Sequence, residues 1–287
     1  MRHRIDPLIH ERAPWLTNQT ALTRVAQRTL DHALSYEKTV ALAETMQHAT
    51  SREIMTAMGR RLAQHVEVAG LGHLPTDDPA LIVANHPTGI ADGIILNHVI
   101  AQRRPDAYFF ADKDILRILP QMSDMICPVE WRPEKRSRES ARETMQFVRK
   151  ATDEGRLGVI FPSGRLAKRR GLRLWERPWM ASAAMLARKF DLPVIPVNIR
   201  ARNSALFYLF DKIHPTLRDI TLFHETLNKD RQPFQITVGP HIAGRDLPKS
   251  AEDGIVILRE ATLLLGETQR PEIDMRAVSR PLLPRLG

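Results

Sequence analysis

From residue 66 onward, seven short apolar runs alternate with stretches of helical periodicity, and that alternation limits the chain to an α/β architecture. The pattern predicts strands over Val66–Ala69, Ala80–Ala84, Ala107–Ala111, Met125–Glu130, Leu157–Phe161, Val194–Arg200 and Phe234–Val238. It predicts helices over Gly93–Arg103, Asp114–Met122, Ser137–Asp153, Glu176–Phe190, Ala205–Thr226 and Ala251–Leu265. The expected fold is a mixed, largely parallel sheet flanked by helices, with ligands outside the carboxyl ends of the strands. Pro196 lies inside one strand, which predicts an edge position or a bulge there.

The segment 1–65 reads as helical and the main domain as 66–270. Leu22, Val25, Ala26, Leu30, Ala33 and Leu34 recur at helical spacing, as do Ile54, Met55, Met58 and Leu62. Two readings of these stripes stand side by side: an amphipathic pair lying on lipid, or a helical pair packed on the main domain. Residues 271–287, with three prolines, read as an irregular tail. No internal repeat or low-complexity tract interrupts the chain.

The sequence of 287 residues is 43% hydrophobic and 26% charged, enough to bury a substantial core. Its single cysteine, Cys127, excludes an internal disulfide framework and a Cys-rich zinc site, and fits a reducing compartment. No apolar run approaches the roughly 18 residues of a spanning helix. No signal-peptide core follows the basic start Met1-Arg2-His3-Arg4. The expectation is a protein that is soluble or held on a membrane surface. The net charge of +9 attracts nucleic acid, anionic lipid or anionic small molecules. Zinc-finger spacing is missing, and Tyr and Phe are not interleaved with Arg, so no nucleic-acid partner is expected.

Chemistry concentrates at strand ends. Asn85-His86-Pro87-Thr88-Gly89-Ile90-Ala91-Asp92-Gly93 follows the apolar Ala80–Ala84 and runs into a helix. A histidine leaving a strand end and an aspartate near a helix N-terminus suit a general base whose tautomer is fixed by a carboxylate. Such a base can act directly on a substrate hydroxyl, without a nucleophilic Ser or Cys. After the strand ending at Phe161 come Pro162, Ser163, Gly164 and Arg165, then Lys168, Arg169 and Arg170, which read as a basic loop. Gly164 permits a backbone conformation closed to other residues, and Arg165 can bind an anionic oxygen with two hydrogen bonds. Lys113 and Arg117, one helical turn apart, are candidates to face the same pocket. No His-x-x-x-His or Glu-x-x-His pattern on a helix suggests a metal, and none is expected. The histidines elsewhere, including His98, His214, His224 and His241, read as structural.

The order of these pieces resembles the glycerophospholipid acyltransferases: NHPxGxxDG at a strand end, a lysine after the next strand, then FPSGR, then LPVIPV. The likeness covers about residues 65–240. It implies a catalytic dyad of His86 and Asp92. Phe161, Pro162, Gly164 and Arg165 match the family's acceptor-binding motif, and with the residues read above the expected substrate-binding set is Asn85, Lys113, Arg117, Phe161, Pro162, Ser163, Gly164, Arg165 and Lys168. Five residues separate His86 from Asp92, where the common motif has four. A bacterial hemolysin-like subgroup shares this spacing, and Arg202–Phe207 and Leu227–Lys229 resemble it too. Ser163 stands where the family usually has Glu, and Arg165 is one position nearer the glycine. The acceptor therefore stays open between lysophosphatidate and a lyso-aminolipid such as lyso-ornithine lipid.

The resemblance implies transfer of a fatty acyl chain from an acyl thioester of acyl carrier protein or coenzyme A, as co-substrate, to a lyso-lipid hydroxyl. No resident cofactor is expected. The implied partners also include an anionic membrane surface, met peripherally at the inner face of the cell membrane. Backbone N–H groups around Gly164 are candidate donors to the tetrahedral oxyanion. Two other classes remain: a hydrolase using the same dyad on water, and a non-catalytic lipid-binding protein. The missing Gly-x-Ser-x-Gly elbow argues against a serine hydrolase.

Overall fold

The structure is a computed structural model that describes residues 1–12, 36–130, 137–213, 215–266 and 269–279. The stripe from Leu22 to Leu34 and His214 lie outside the described residues.

Among the described residues, seven strands form one sheet: β1 (Val66–Ala69), β2 (Ala80–Ala84), β3 (Tyr108–Asp112), β4 (Ile126–Val129), β5 (Leu157–Ile160), β8 (Val194–Arg200) and β9 (Phe234–Val238), in the order β1-β9-β8-β2-β5-β3-β4. Every neighbouring pair is parallel except β8–β9. A parallel sheet needs cover on both faces, and the alternation of side chains supplies two cores. Ile82, Ala84, Val159, Ile195 and Val197 face one way, toward α3 (Ser51–Leu62) and α4 (Ile90–Ile100). Leu81, Val83, Ile160 and Val194 face the other, toward α6 (Arg138–Asp153), α7 (Ser182–Lys189) and α10 (Ala251–Leu263).

Ahead of the sheet lie α1 (Arg2–Arg12) and α2 (Tyr36–Thr45). Thr50 starts α3 reciprocally: its hydroxyl accepts from the Glu53 N–H and the Glu53 carboxylate accepts from the Thr50 N–H. Ile54, Met55, Met58 and Leu62 of α3 are buried in the main core. That stripe therefore packs on the domain and is not free to meet lipid. Gly59 allows the approach, since a Cβ there would stand 2.8 Å from the His98 ring on α4.

Several boundaries differ from expectation, mostly at prolines. The predicted helix 114–122 stops at Ile118 as α5 (Asp114–Ile118), and Pro120 opens a separate 3₁₀ turn. The segment expected as one helix over 205–226 is two, α8 (Ala205–Ile213) and α9 (Pro215–Leu227), because Pro215 cannot continue α8 but suits a first helical position. The helix expected from Glu176 begins only at Ser182, since Pro178 breaks the run. Pro196 is at neither edge. It sits in the central β8, just before the β8–β9 ladder begins at Val197, so its missing N–H costs no ladder bond there, and its carbonyl accepts from Gly239.

The expected basic loop is in part a hairpin, β6 (Lys168–Arg170) with β7 (Arg173–Trp175). The expected tail supplies its third strand, β10 (Ile273–Asp274), and buries Met275 and Val278 against it. Three side chains on the inner side of this small sheet are apolar and buried: Leu174, Ile273 and Ala167 at its entrance.

At the amino ends of the strands a single buried guanidinium ties the loops together. Arg104 donates to both carboxylate oxygens of Asp106 and to the carbonyls of Pro75, Asp78 and Gly155. Burial raises the Asp106 carboxyl, but Arg104 and the Leu157 N–H outweigh it and hold the group below its usual range.

Candidate active site

β2 ends at Ala84, and the chain turns outward at the carboxyl end of the sheet. Asn85 fixes where it turns. Its amide is buried, donates to the Ile199 carbonyl at 2.8 Å and accepts from the Ile199 N–H at 2.7 Å. Both ends of Asn85 are thus engaged with β8, and what it gives the site is the position of the strand end.

His86 follows, with its side chain 18% exposed, and its ring stacks on Phe161 at 4.4 Å and 26°. Nδ1 lies 2.9 Å from Asp92 Oδ2. Although that distance is short, Nδ1 makes no regular hydrogen bond, so the N–H misses the ideal angle. Loose alignment of this kind is common before substrate tightens a site. The distance decides the pairing: no other carboxylate oxygen is within ion-pair range of the ring among the described residues.

Asp92 is fully buried at the third position of α4. Its Oδ2 accepts from the backbone N–H of Thr88 at 2.8 Å and of Gly89 at 3.0 Å, and its Oδ1 from the Thr88 hydroxyl at 2.5 Å. The positive end of α4 adds to the field on this carboxylate. The helix was expected from Gly93, but it starts at Ile90, so Asp92 lies within the first turn. That arrangement aims a fixed negative group at one imidazole nitrogen and leaves Nε2 for a substrate proton.

Phe161-Pro162-Ser163-Gly164 closes a turn in which the Gly164 N–H donates to the Phe161 carbonyl at 2.9 Å. Gly164 has φ +56, the left-handed region that favours glycine. Its N–H is engaged inside the turn. The Ser163 hydroxyl donates to the Arg165 carbonyl at 2.8 Å. Arg165 and Lys168 are exposed at the same rim.

Lys113 and Arg117 do not converge. Lys113 reaches Glu130 at 3.6 Å, while Arg117 holds Glu11 of α1 at 2.6 Å and Asp114 at 3.4 Å. Their partners lie on separate elements, which pulls the two cations apart.

Two groups escaped sequence reasoning. The first is Glu176, just past β7. Its carboxylate accepts from the His86 N–H at 3.2 Å and from Trp179 Nε1 at 3.0 Å, with the Ser163 hydroxyl beside it. Burial lifts its carboxyl above the usual range, and these donors and the nearby ring only partly oppose that. The available signal was a lone carboxylate among six basic residues between Arg165 and Arg177. The second is a buried pair. Lys229 Nζ donates to Glu225 Oε2 at 3.0 Å, both side chains being at most 1% exposed. Glu225 also accepts from the Ser204 N–H and hydroxyl, and Asn203 donates to the Thr88 carbonyl at 3.3 Å. This network backs the Thr88–Asp92 turn, and Lys229 lies within electrostatic reach of Asp92.

A strand-end imidazole lies against a buried carboxylate, an arrangement chemically able to take a proton from a hydroxyl. The model of the Acyltransferase family matches residues 65–200. That match and the relatives that follow support an enzyme that transfers acyl groups. Among known proteins it is similar to the lyso-glycine lipid O-acyltransferase of Phocaeicola vulgatus, 21% identical over 227 residues, 77% of this chain and 80% of that one. It is also similar to the lyso-glycine lipid O-acyltransferase of Bacteroides thetaiotaomicron, 22% identical over 191 residues, 64% of this chain and 68% of that one. Of solved structures, the 1-acyl-sn-glycerophosphate acyltransferase PlsC of Thermotoga maritima aligns with TM-score 0.48 and 13% identity, over 83% of this chain and 94% of that one.

Proposed function

We propose that this enzyme transfers a fatty acyl chain from the thioester of acyl carrier protein or coenzyme A to the hydroxyl of a lyso-lipid. The two relatives named for a lyso-glycine lipid favour a lyso-aminolipid acceptor over lysophosphatidate. The observation that carries the chemistry is the 2.9 Å approach of His86 Nδ1 to the buried Asp92 carboxylate. In this reading the Nδ1–H faces Asp92, and Nε2 takes the proton of the acceptor hydroxyl. The oxygen attacks the thioester carbon. The tetrahedral adduct collapses, the C–S bond breaks, and the thiolate takes the proton from the imidazolium. Asp92 stabilises the charged ring throughout. Phe161 fixes the ring plane by stacking, and Arg165 and Lys168 offer positive charge to an anionic headgroup or carrier.

No described helix is long and apolar enough to cross a membrane. The lipid acceptor calls for peripheral contact with an anionic surface, which we assign to the inner face of the cell membrane.

The test is incubation of pure protein with labelled acyl carrier protein or acyl coenzyme A and a panel of lyso-lipids. A diacyl product is expected, and His86→Ala lowers its rate by about 10²–10⁴-fold while the protein stays folded. Release of free fatty acid alone would instead identify a hydrolase. An undiminished rate in His86→Ala would remove the histidine from the mechanism.

A further inference from the structure

The β6–β7 hairpin presents two unlike faces. Its register pairs Lys168 with Trp175, Arg169 with Leu174 and Arg170 with Arg173. Leu174 points inward and is buried, and Arg169 turns onto the Tyr208 ring at 5.4 Å. The outward face therefore carries Lys168, Arg170, Arg173 and Trp175, with Leu172 at the turn beside Gly171. Leu172 is 52% exposed and Trp175 38%. Arg173 is paired with Glu272 at 2.9 Å, but Lys168 and Arg170 have no ion-pair partner among the described residues.

Both ends of this hairpin are bonded to the backbone of the same residue. The Ala167 N–H, at its entrance, donates to the His86 carbonyl at 2.9 Å. The Glu176 carboxylate, at its exit, accepts from the His86 N–H at 3.2 Å. Whatever the hairpin rests on, His86 is held at a fixed offset from it.

We propose that this outward face is the element that seats the enzyme on an anionic lipid surface, and that the hairpin's two bonds to the His86 backbone set the imidazole at the headgroup layer. The proposal takes its purpose from the lyso-lipid reading above. Unpaired cations meet anionic headgroups, an indole with a polar edge suits the interface, and an apolar residue at the tip enters the acyl boundary. A purely acidic protein partner would use the cations but leave Leu172 and Trp175 without a role.

The experiment is flotation of the full chain with vesicles of phosphatidylcholine, with and without phosphatidylglycerol, at low and high salt, without acceptor or thioester. Wild type floats with the anionic vesicles at low salt and less at high salt. The double variant Arg170→Ala, Leu172→Asp changes two charges at the surface and lowers vesicle partition by about 30-fold. The same change made elsewhere, Arg142→Ala with Val256→Asp on the exposed sides of α6 and α10, leaves partition unaltered. Equal flotation of the hairpin variant and wild type overturns the proposal, as does failure of wild type to float at either salt. So does a hairpin variant that floats normally but shows a raised KM for acyl carrier protein, which points to a protein-docking face. Because the flotation involves no acyl transfer, its failure is separate from a failure of the proposed reaction.

Discussion

Asp92→Asn separates the charge of this carboxylate from its shape. Asp92 receives two backbone N–H groups on Oδ2 and the Thr88 hydroxyl on Oδ1. An asparagine with its carbonyl at the Oδ2 position keeps both backbone bonds. Its amide then faces the Thr88 hydroxyl, which can rotate from donor to acceptor. The fold should lose only about 1–2 kcal/mol, the difference between charge-assisted and neutral bonds. Asp92→Ala, by contrast, strands two buried N–H groups and costs about 2–6 kcal/mol.

The charge itself matters more to catalysis. At 2.9 Å a carboxylate and an imidazolium attract by on the order of 6 kcal/mol at an effective dielectric of about 20. An amide carbonyl keeps only a fraction of that attraction. The expected loss in kcat is about 10²–10⁴-fold, or roughly 3–5 kcal/mol in the barrier, with little change in KM for the acceptor. Steady-state acyl transfer measures it, with circular dichroism and urea titration to confirm a folded variant. A folded Asp92→Asn enzyme within threefold of wild type in kcat would falsify the pairing argument. A change confined to KM would also refute it, because an orienting carboxylate acts on the charged ring in the transition state.

Glu176→Ala leaves the His86 N–H and Trp179 Nε1 without their acceptor, and we expect about 2–6 kcal/mol less stability in urea. The Glu176 carboxyl is raised in the fold, so wild-type stability should fall as pH rises from the ordinary carboxylate range through the raised value. Glu176→Gln should lose that slope, and an unchanged pH–stability profile would contradict the burial argument. Lys229→Met abandons a buried Glu225 charge and should cost about 3–5 kcal/mol, part of it recovered in the double variant with Glu225→Gln, which removes the charge and keeps an acceptor for Ser204. A loss under about 1 kcal/mol speaks against an ion pair there. Although burial raises the Glu225 carboxyl, Lys229 and Ser204 outweigh it and hold the group below its usual range. That stability is therefore present above the usual range and disappears as pH falls through the folded value, a trend the Lys229→Met variant should lack.

The strands and the approach of His86 to Asp92 were legible because each is written locally. Ala80–Ala84, Val194–Arg200 and Phe234–Val238 are read to the residue: the first is an unbroken buried apolar run, the second opens on one, and the third alternates buried apolar with half-buried polar residues. His86 and Asp92 fall in one continuous motif, and their side chains meet within one strand-to-helix turn. Less legible was everything that depends on distant pairing. Lys168–Arg170 has the composition of a solvated loop, and only its partners on β7 and β10 make it a strand. Pro196 looks like an edge residue until the point where the β9 ladder starts is known. Glu176 lies 90 residues from His86, too far for any local pattern to join them. Lys113 and Arg117 share a helical turn, yet Glu130 and Glu11 draw them to different neighbours.

Arg104 closes the end of the sheet remote from His86, where its donors meet Asp106 and the carbonyls of Pro75, Asp78 and Gly155. Lysine has three donors from one point and cannot span that set. One side chain thus rivets the entries of three strands together, and the floor of the sheet keeps its spacing independently of the contacts made at the rim that carries His86.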